Sequence, residues 1–430
     1  MSDIPILEHK ESIESYYRQL TNQEQTSVFA VLLKIFEKDK DLRGLYRWNE
    51  FSYDVEHTGG VAWSYNIKEN CEVTDNDITE VMAFLAKKFN FSPPRSRVED
   101  TIKTMSLRKS YHPIKDYLDN LQWDGCYRIN NFLHDICGVE KSDYSTAVSR
   151  KMIVAAVARI YKPGIKFDYM TILEGKQGVR KTTLLEILAG KDYHSTVNFS
   201  MSNKDIVDIM RGKWILEIKE MQGFKKVETD KVKALLDQHT DRVRLSFGHR
   251  AQDFKRNSIF VGTMNPLGEN KYLSDETGNR RFWPILCIGK INIELAVNIR
   301  DQVWAEALYL FKKGEPIYME TTALEELANQ EQEERLAVDP WIDIIKEYLS
   351  DKVGIPNIEI SMQRIYDECL KIPFKDVNKG VAGRIGRAIK STGWIRKNYT
   401  TRKEREDKGT FYIPVTELTQ KVMWDETEQQ

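Results

Sequence analysis

The stretch Gly175-Lys176-Gln177-Gly178-Val179-Arg180-Lys181-Thr182 decides how the rest of the chain is read. An apolar run, Tyr169 to Leu173, precedes it, and Thr182 to Ala189 follows with the look of a helix. A glycine-rich segment ending in Lys-Thr between a strand and a helix is the pattern of a phosphate-binding loop. The chemistry explains the residue types. Backbone N–H groups of such a loop, and of the helix start behind it, converge on phosphate oxygens. Lys181 is expected to reach the β and γ phosphates of ATP, and the Thr182 hydroxyl to bind Mg2+. Gly175, Lys176, Gln177, Gly178, Val179, Arg180 and Thr183 complete the expected nucleotide cradle. Arg180 stands where the pattern has its second glycine. If that position needs a positive φ, a side chain there costs about 1–2 kcal/mol; if not, Arg180 adds a cation beside the triphosphate.

Working outward, Trp214 to Ile218 reads as a second apolar strand carrying Glu217, with Glu220 beyond its end. Carboxylates in that position suit a metal and an attacking water, and Glu217 is assigned to the metal and Glu220 to the water. A third apolar strand, Ser258 to Gly262, leads to Asn265, whose amide suits a γ-phosphate or the water. Arg280 and Arg281 follow a turn at Thr277-Gly278-Asn279 and precede Phe282-Trp283-Pro284. Guanidinium groups bind phosphate in a planar, two-pronged way, and in a ring of subunits either arginine could serve a neighbour's ATP. Between the second and third strands, Arg242, Arg244, His249, Arg250, Lys255 and Arg256 lie on an expected hairpin, suited to the phosphates of DNA. Short strands alternating with helices over residues 166–320 predict an α/β core with a parallel sheet.

The remainder sets the frame. A length of 430 residues suggests two to four domains. Residues 1–95 read as a mixed α/β accessory region, 96–165 as a helical domain, 321–340 as a helical linker and 341–430 as a separate C-terminal domain. The net charge is only −1, so a nucleic-acid site has to be a local patch. One such patch lies between Lys379 and Lys408, where ten basic and three acidic residues give a local +7. Helix, strand, charged turn and strand follow in the outline of a winged helix, with Arg384, Arg387, Lys390, Arg396 and Lys397 as its expected DNA contacts. The five cysteines form no CxxC pair, which argues against a zinc ribbon or a disulfide framework. With no signal-peptide pattern at Met1 and no run of about 18 apolar residues, a cytoplasmic protein with no membrane segment is expected.

With these residues in view, the chain resembles the virulence-associated protein E family of phages and pathogenicity islands, related to superfamily 3 helicases and AAA+ ATPases. The resemblance covers roughly residues 105–310. It rests on Tyr111-His112-Pro113, Leu121-Gln122-Trp123-Asp124-Gly125, Ala155 to Arg159, Phe167-Asp168-Tyr169, Glu174 to Gly178, Trp214 to Glu220, Thr277 to Pro284 and Trp304-Ala305-Glu306-Ala307. It implies an AAA+-like fold and an ATP-driven ring, a homo-hexamer, that travels on DNA in a bacterial host cell. It also implies that the hairpin projects into the central channel and holds single-stranded DNA. A different class stays open beside it: a non-unwinding DNA-binding, regulatory or defence protein that uses ATP to set its oligomeric state.

Overall fold

The computed structural model describes residues 13–18, 20, 27–61, 71–198, 203–220, 226–243, 251–265, 272–273, 278–336, 340–353, 355, 358–373, 376–377, 379–396 and 410–414. The chain divides into two compact units, Met1–Arg335 and Leu336–Gln430.

The first unit begins with helices α1 (Ile13–Tyr17) and α2 (Val28–Lys38), strands β1 (Tyr46–Asn49) and β2 (Asp54–His57), helices α3 (Asp75–Phe89) and α4 (Arg95–Leu107), and strand β3 (Ser110–Tyr111). The spacing of Val31, Leu32, Ile35 and Phe36 puts all four on one buried face of α2, and the Ser27 side chain caps its start. Thr74 and Asp77 form a reciprocal capping box on α3. The division expected at residue 95 falls elsewhere. Val98 and Ile102 of α4 share a core with α2 and α3, and β3 closes the sheet in the order β2-β1-β3. This small α/β layer therefore runs to Tyr111.

Helices α5 (Pro113–Asp119), α6 (Phe132–Cys137) and α7 (Asp143–Tyr161) lead into the central sheet. From Met152 to Ile160 every residue of α7 is buried, which explains its lack of a polar face. The sheet is built from β4 (Met170–Glu174), β5 (His194–Val197), β6 (Ile215–Ile218), β9 (Ile259–Met264) and β10 (Phe282–Leu286), all parallel, in the order β10-β4-β9-β6-β5. Helix α8 (Lys181–Ala189) follows β4, and α9 (Asn203–Met210) follows β5. After β6 come α10 (Lys226–Asp237) and an antiparallel pair, β7 (Thr240–Val243) with β8 (Gln252–Lys255). Strands β4, β6 and β9 are buried along their length, as a parallel sheet covered on both faces requires. Helix α11 (Ile293–Lys312) packs on α7 and α8.

Helix α12 (Thr322–Glu334) falls inside the segment expected to be a linker. It is part of the first unit instead: Ala328 is in the main core, and the buried Gln332 amide donates to the Phe282 carbonyl at 2.9 Å.

The second unit contains α13 (Pro340–Ser350), β11 (Ile360–Ser361), α14 (Met362–Arg364) running on as a π-helical turn over Ile365–Cys369, α15 (Lys379–Ser391), β12 (Trp394–Arg396) and β13 (Phe411–Pro414). Its strands form an antiparallel sheet in the order β11-β13-β12. A core of its own gathers Ile345, Leu349, Ile360, Ile365, Ile385, Ile389 and Trp394.

Candidate nucleotide and metal site

The loop from Gly175 to Arg180 joins the buried end of β4 to the start of α8. Left-handed backbone occurs at Gly178 (φ 81) and Arg180, and Gly175 is constrained by a close approach. A Cβ on Gly175 would lie 3.2 Å from the Cys287 carbonyl oxygen, so only glycine fits without displacing β10's end. Arg180 has φ 77 and ψ 32, the left-handed region in which a side chain is strained. The substitution of arginine for glycine therefore places that strain at the helix start.

Lys181 is almost buried. Its Nζ donates to the carbonyls of Gly175 (2.7 Å) and Lys176 (3.1 Å) and to Asn265 Oδ1 (3.0 Å). Burial pulls its ammonium below the ordinary value, against the pull of Cys287 and Glu217. Register explains how Asn265 arrives there: Glu174 pairs with Met264, so the chain leaving β9 passes the mouth of the loop.

The Thr182 hydroxyl donates to Glu217 Oε1 at 2.8 Å, and the Thr263 hydroxyl donates to the same oxygen at 2.6 Å. Glu217 is wholly buried, and its other oxygen, Oε2, accepts no hydrogen bond. His194 Nε2 and Lys219 Nζ lie 3.5 and 3.7 Å from it. Burial works against the charge on Glu217, but His194, the two hydroxyls and Lys219 outweigh it, so its carboxyl sits below the usual range. An ionised buried carboxylate joined to a threonine hydroxyl at the helix start fits a hard divalent cation with oxygen ligands.

The other expected site residues are distributed less uniformly. Thr183 is half-buried, and Lys176, Gln177 and Gly178 are exposed beside the half-buried Val179. Glu220 is exposed beyond the end of β6, at φ 58. Arg281 is turned onto Asp237 in a two-pronged pair at 2.8 and 2.7 Å. Arg280 is exposed, with Nη2 3.6 Å from Asp168.

Arg256 is a correction to the expected DNA face. It is buried, held by Asp241 at 2.7 and 2.8 Å and donating to Gln238 and the Leu235 carbonyl. The reason is strand alternation: Phe254 and Arg256 point inward while Lys255 points out. Arg242 is exposed opposite Asp253. In the second unit Arg387, Lys390 and Arg396 are exposed, and Arg384 lies 3.7 Å over the Trp341 ring. Arg244, His249, Arg250 and Lys397 lie outside the described residues.

Thr263 and His194 belong to the site and were not anticipated. Thr263 lies two residues before Asn265 on an apolar strand, a spacing that could have marked it. His194 opens a polar strand that sequence patterning does not reveal.

A parallel five-stranded sheet with this loop between β4 and α8, and a buried carboxylate on β6 facing it, defines an α/β protein with a P-loop-like core. More particularly, the chain belongs to the virulence-associated protein E-like family, whose domain profile matches residues 118–337, just over half of its length. No curated protein matches it. Among solved structures it is similar to an A-form apo structure of the NrS-1 C-terminal region, at 12% identity over 90% of this chain and 98% of that one, with a TM-score of 0.47. A second apo structure of the same region matches at 13% identity, 86% of this chain, 96% of that one and a TM-score of 0.47. Among the described residues, no helix is long and apolar enough to cross a membrane.

Proposed function

We propose that this protein is an ATP-dependent DNA helicase or replication initiator of a phage or mobile element, with ATP and Mg2+ bound between the subunits of a ring, hexameric by the family resemblance. The observation that carries the reading is the convergence of Lys181 and Thr182 of α8, Glu217 of β6 and Asn265 just beyond β9 at one loop. Nucleotide phosphates would take over from the loop carbonyls and Asn265 as partners of Lys181. Thr182 and Glu217 would hold Mg2+, whose role is to neutralise charge on the phosphate oxygens. Glu220 would orient the attacking water, and an arginine of the pair would reach the neighbouring subunit's nucleotide. The hairpin begun by β7 and β8 would grip single-stranded DNA through Arg242 and Lys255. The order helix, strand, helix, helix, strand, strand in the second unit supports a winged helix, with Arg387, Lys390 and Arg396 touching duplex backbone.

The test is DNA-stimulated ATP hydrolysis and strand displacement by the full chain, with its assembly sized in parallel. Lys181→Ala should abolish both activities while leaving the fold intact. Undiminished hydrolysis by that variant would remove the catalytic assignment. Hydrolysis without strand displacement would retain the ATPase and remove the helicase.

A further inference from the structure

Strand β5 runs beside β6 with His194 opposite Ile215 and Thr196 opposite Glu217. Residues two apart on a strand share a face, so His194 and Glu217 are diagonal neighbours on one side of the sheet. Their facing atoms, Nε2 and Oε2, are 3.5 Å apart, and the side chains are 6% and 0% exposed. Neither atom has a hydrogen-bond partner. Buried polar atoms are rarely left so, and here two of them face each other just beyond a good bonding distance. Glu217 Oε1 already accepts two hydroxyls. An ionised carboxylate only accepts, so the favourable arrangement puts the imidazole proton on Nε2.

We propose that His194 is a positioning residue for the magnesium carboxylate. Its Nε2–H closes onto Glu217 Oε2 when metal and nucleotide bind, and so fixes the plane in which Glu217 and Thr182 share one cation. Histidine and carboxylate partners behind a metal ligand set its orientation in the same way. The inference rests on the assignment of Glu217 and Thr182 to the metal made above.

The experiment measures binding of a fluorescent, non-hydrolysable ATP analogue to the full chain, first in EDTA and then across a Mg2+ titration. His194→Ala should bind the analogue in EDTA as the unaltered chain does, yet need about tenfold more Mg2+ for the metal-dependent tightening. His194→Gln, which keeps a donor, should recover most of that loss. His194→Leu, of similar bulk without a donor, should behave as His194→Ala and stands in for it if the alanine variant fails to fold. An unchanged Mg2+ midpoint in the donor-less variants, with metal dependence abolished in Glu217→Gln, overturns the role of His194 alone. So does a glutamine variant as weak as alanine. If the unaltered chain binds identically with and without metal, the metal assignment of the site falls and His194 falls with it.

Discussion

Arg335 holds Glu174 through Nε at 3.0 and 3.2 Å and Nη2 at 3.0 Å, with both side chains buried. The Tyr272 hydroxyl adds a bond to the same carboxylate at 2.8 Å. Glu174 is the residue before Gly175, and Arg335 is the last residue of the first unit. The floor of the phosphate loop is thus tied to the end of α12 by a charge pair with little access to water, and the Glu174 environment pushes the Arg335 guanidinium up despite its burial.

Removing one partner of such a pair leaves the other buried and uncompensated. Arg335→Ala is expected to cost about 3–5 kcal/mol in urea unfolding. Glu334→Ala, at the exposed margin of the same arginine, should cost no more than about 1 kcal/mol. Replacing both members with apolar residues, Glu174→Leu with Arg335→Met, should restore most of the loss. Equal small effects of all three changes would show that the pair does not anchor the loop.

Arg180 offers the opposite sign. Its left-handed backbone makes Arg180→Gly stabilising in the absence of nucleotide by about 1 kcal/mol, the strain of a Cβ less the entropy of a freer unfolded chain. Arg180→Ala retains the Cβ and should gain nothing. Thermal unfolding of the three proteins distinguishes backbone strain from side-chain charge, because a charge effect would move glycine and alanine variants together.

His112 gives the first unit a pH dependence. Its Nδ1 caps α5 by accepting the Lys115 N–H at 3.3 Å. Burial, reinforced by the Lys115 charge, lowers it from 6.5 to about 4. Between those values the unfolded chain binds the proton and the folded one does not, so stability rises with pH through that window and falls as pH drops. The full shift corresponds to about 3 kcal/mol. His112→Asn keeps a capping acceptor and should flatten this part of the profile between pH 4 and 6.5, read as the difference between the two proteins. Parallel profiles would remove His112 as its source.

What could be read beforehand followed from periodicity and from chemistry that demands particular residues. The apolar runs ending at Leu173, Ile218 and Gly262 lie on three central strands because burial on both faces leaves no polar alternation. The outer strands escaped that logic. Pro284 makes β10 look like a turn, yet an edge strand tolerates it because its missing N–H faces no neighbour. His194 to Val197 is polar because β5 is the opposite edge. Arg256 shows the cost of reading charge without period: its sign suited DNA, but its parity with Phe254 sends it inward. Arg335 could not have been matched to Glu174, 161 positions away, from local pattern alone.

The arginine pair can be separated by the same contrast of burial. Arg281 is mostly covered and bound to Asp237, whereas Arg280 keeps 64% of its side chain exposed. Arg281→Ala should therefore lower stability by about 1 kcal/mol, a modest figure because Asp237 is half exposed. Arg280→Ala should leave unfolding unchanged. If Arg280 is the residue that reaches a neighbour's nucleotide, its loss should reduce ATP turnover about 10³-fold or more. Mixing Arg280→Ala with Lys181→Ala subunits should then restore part of the turnover, because some interfaces receive an intact loop from one parent and an intact arginine from the other. Restoration by Arg281→Ala subunits and not by Arg280→Ala subunits would reverse the assignment, and would mean that the pair with Asp237 opens when subunits assemble.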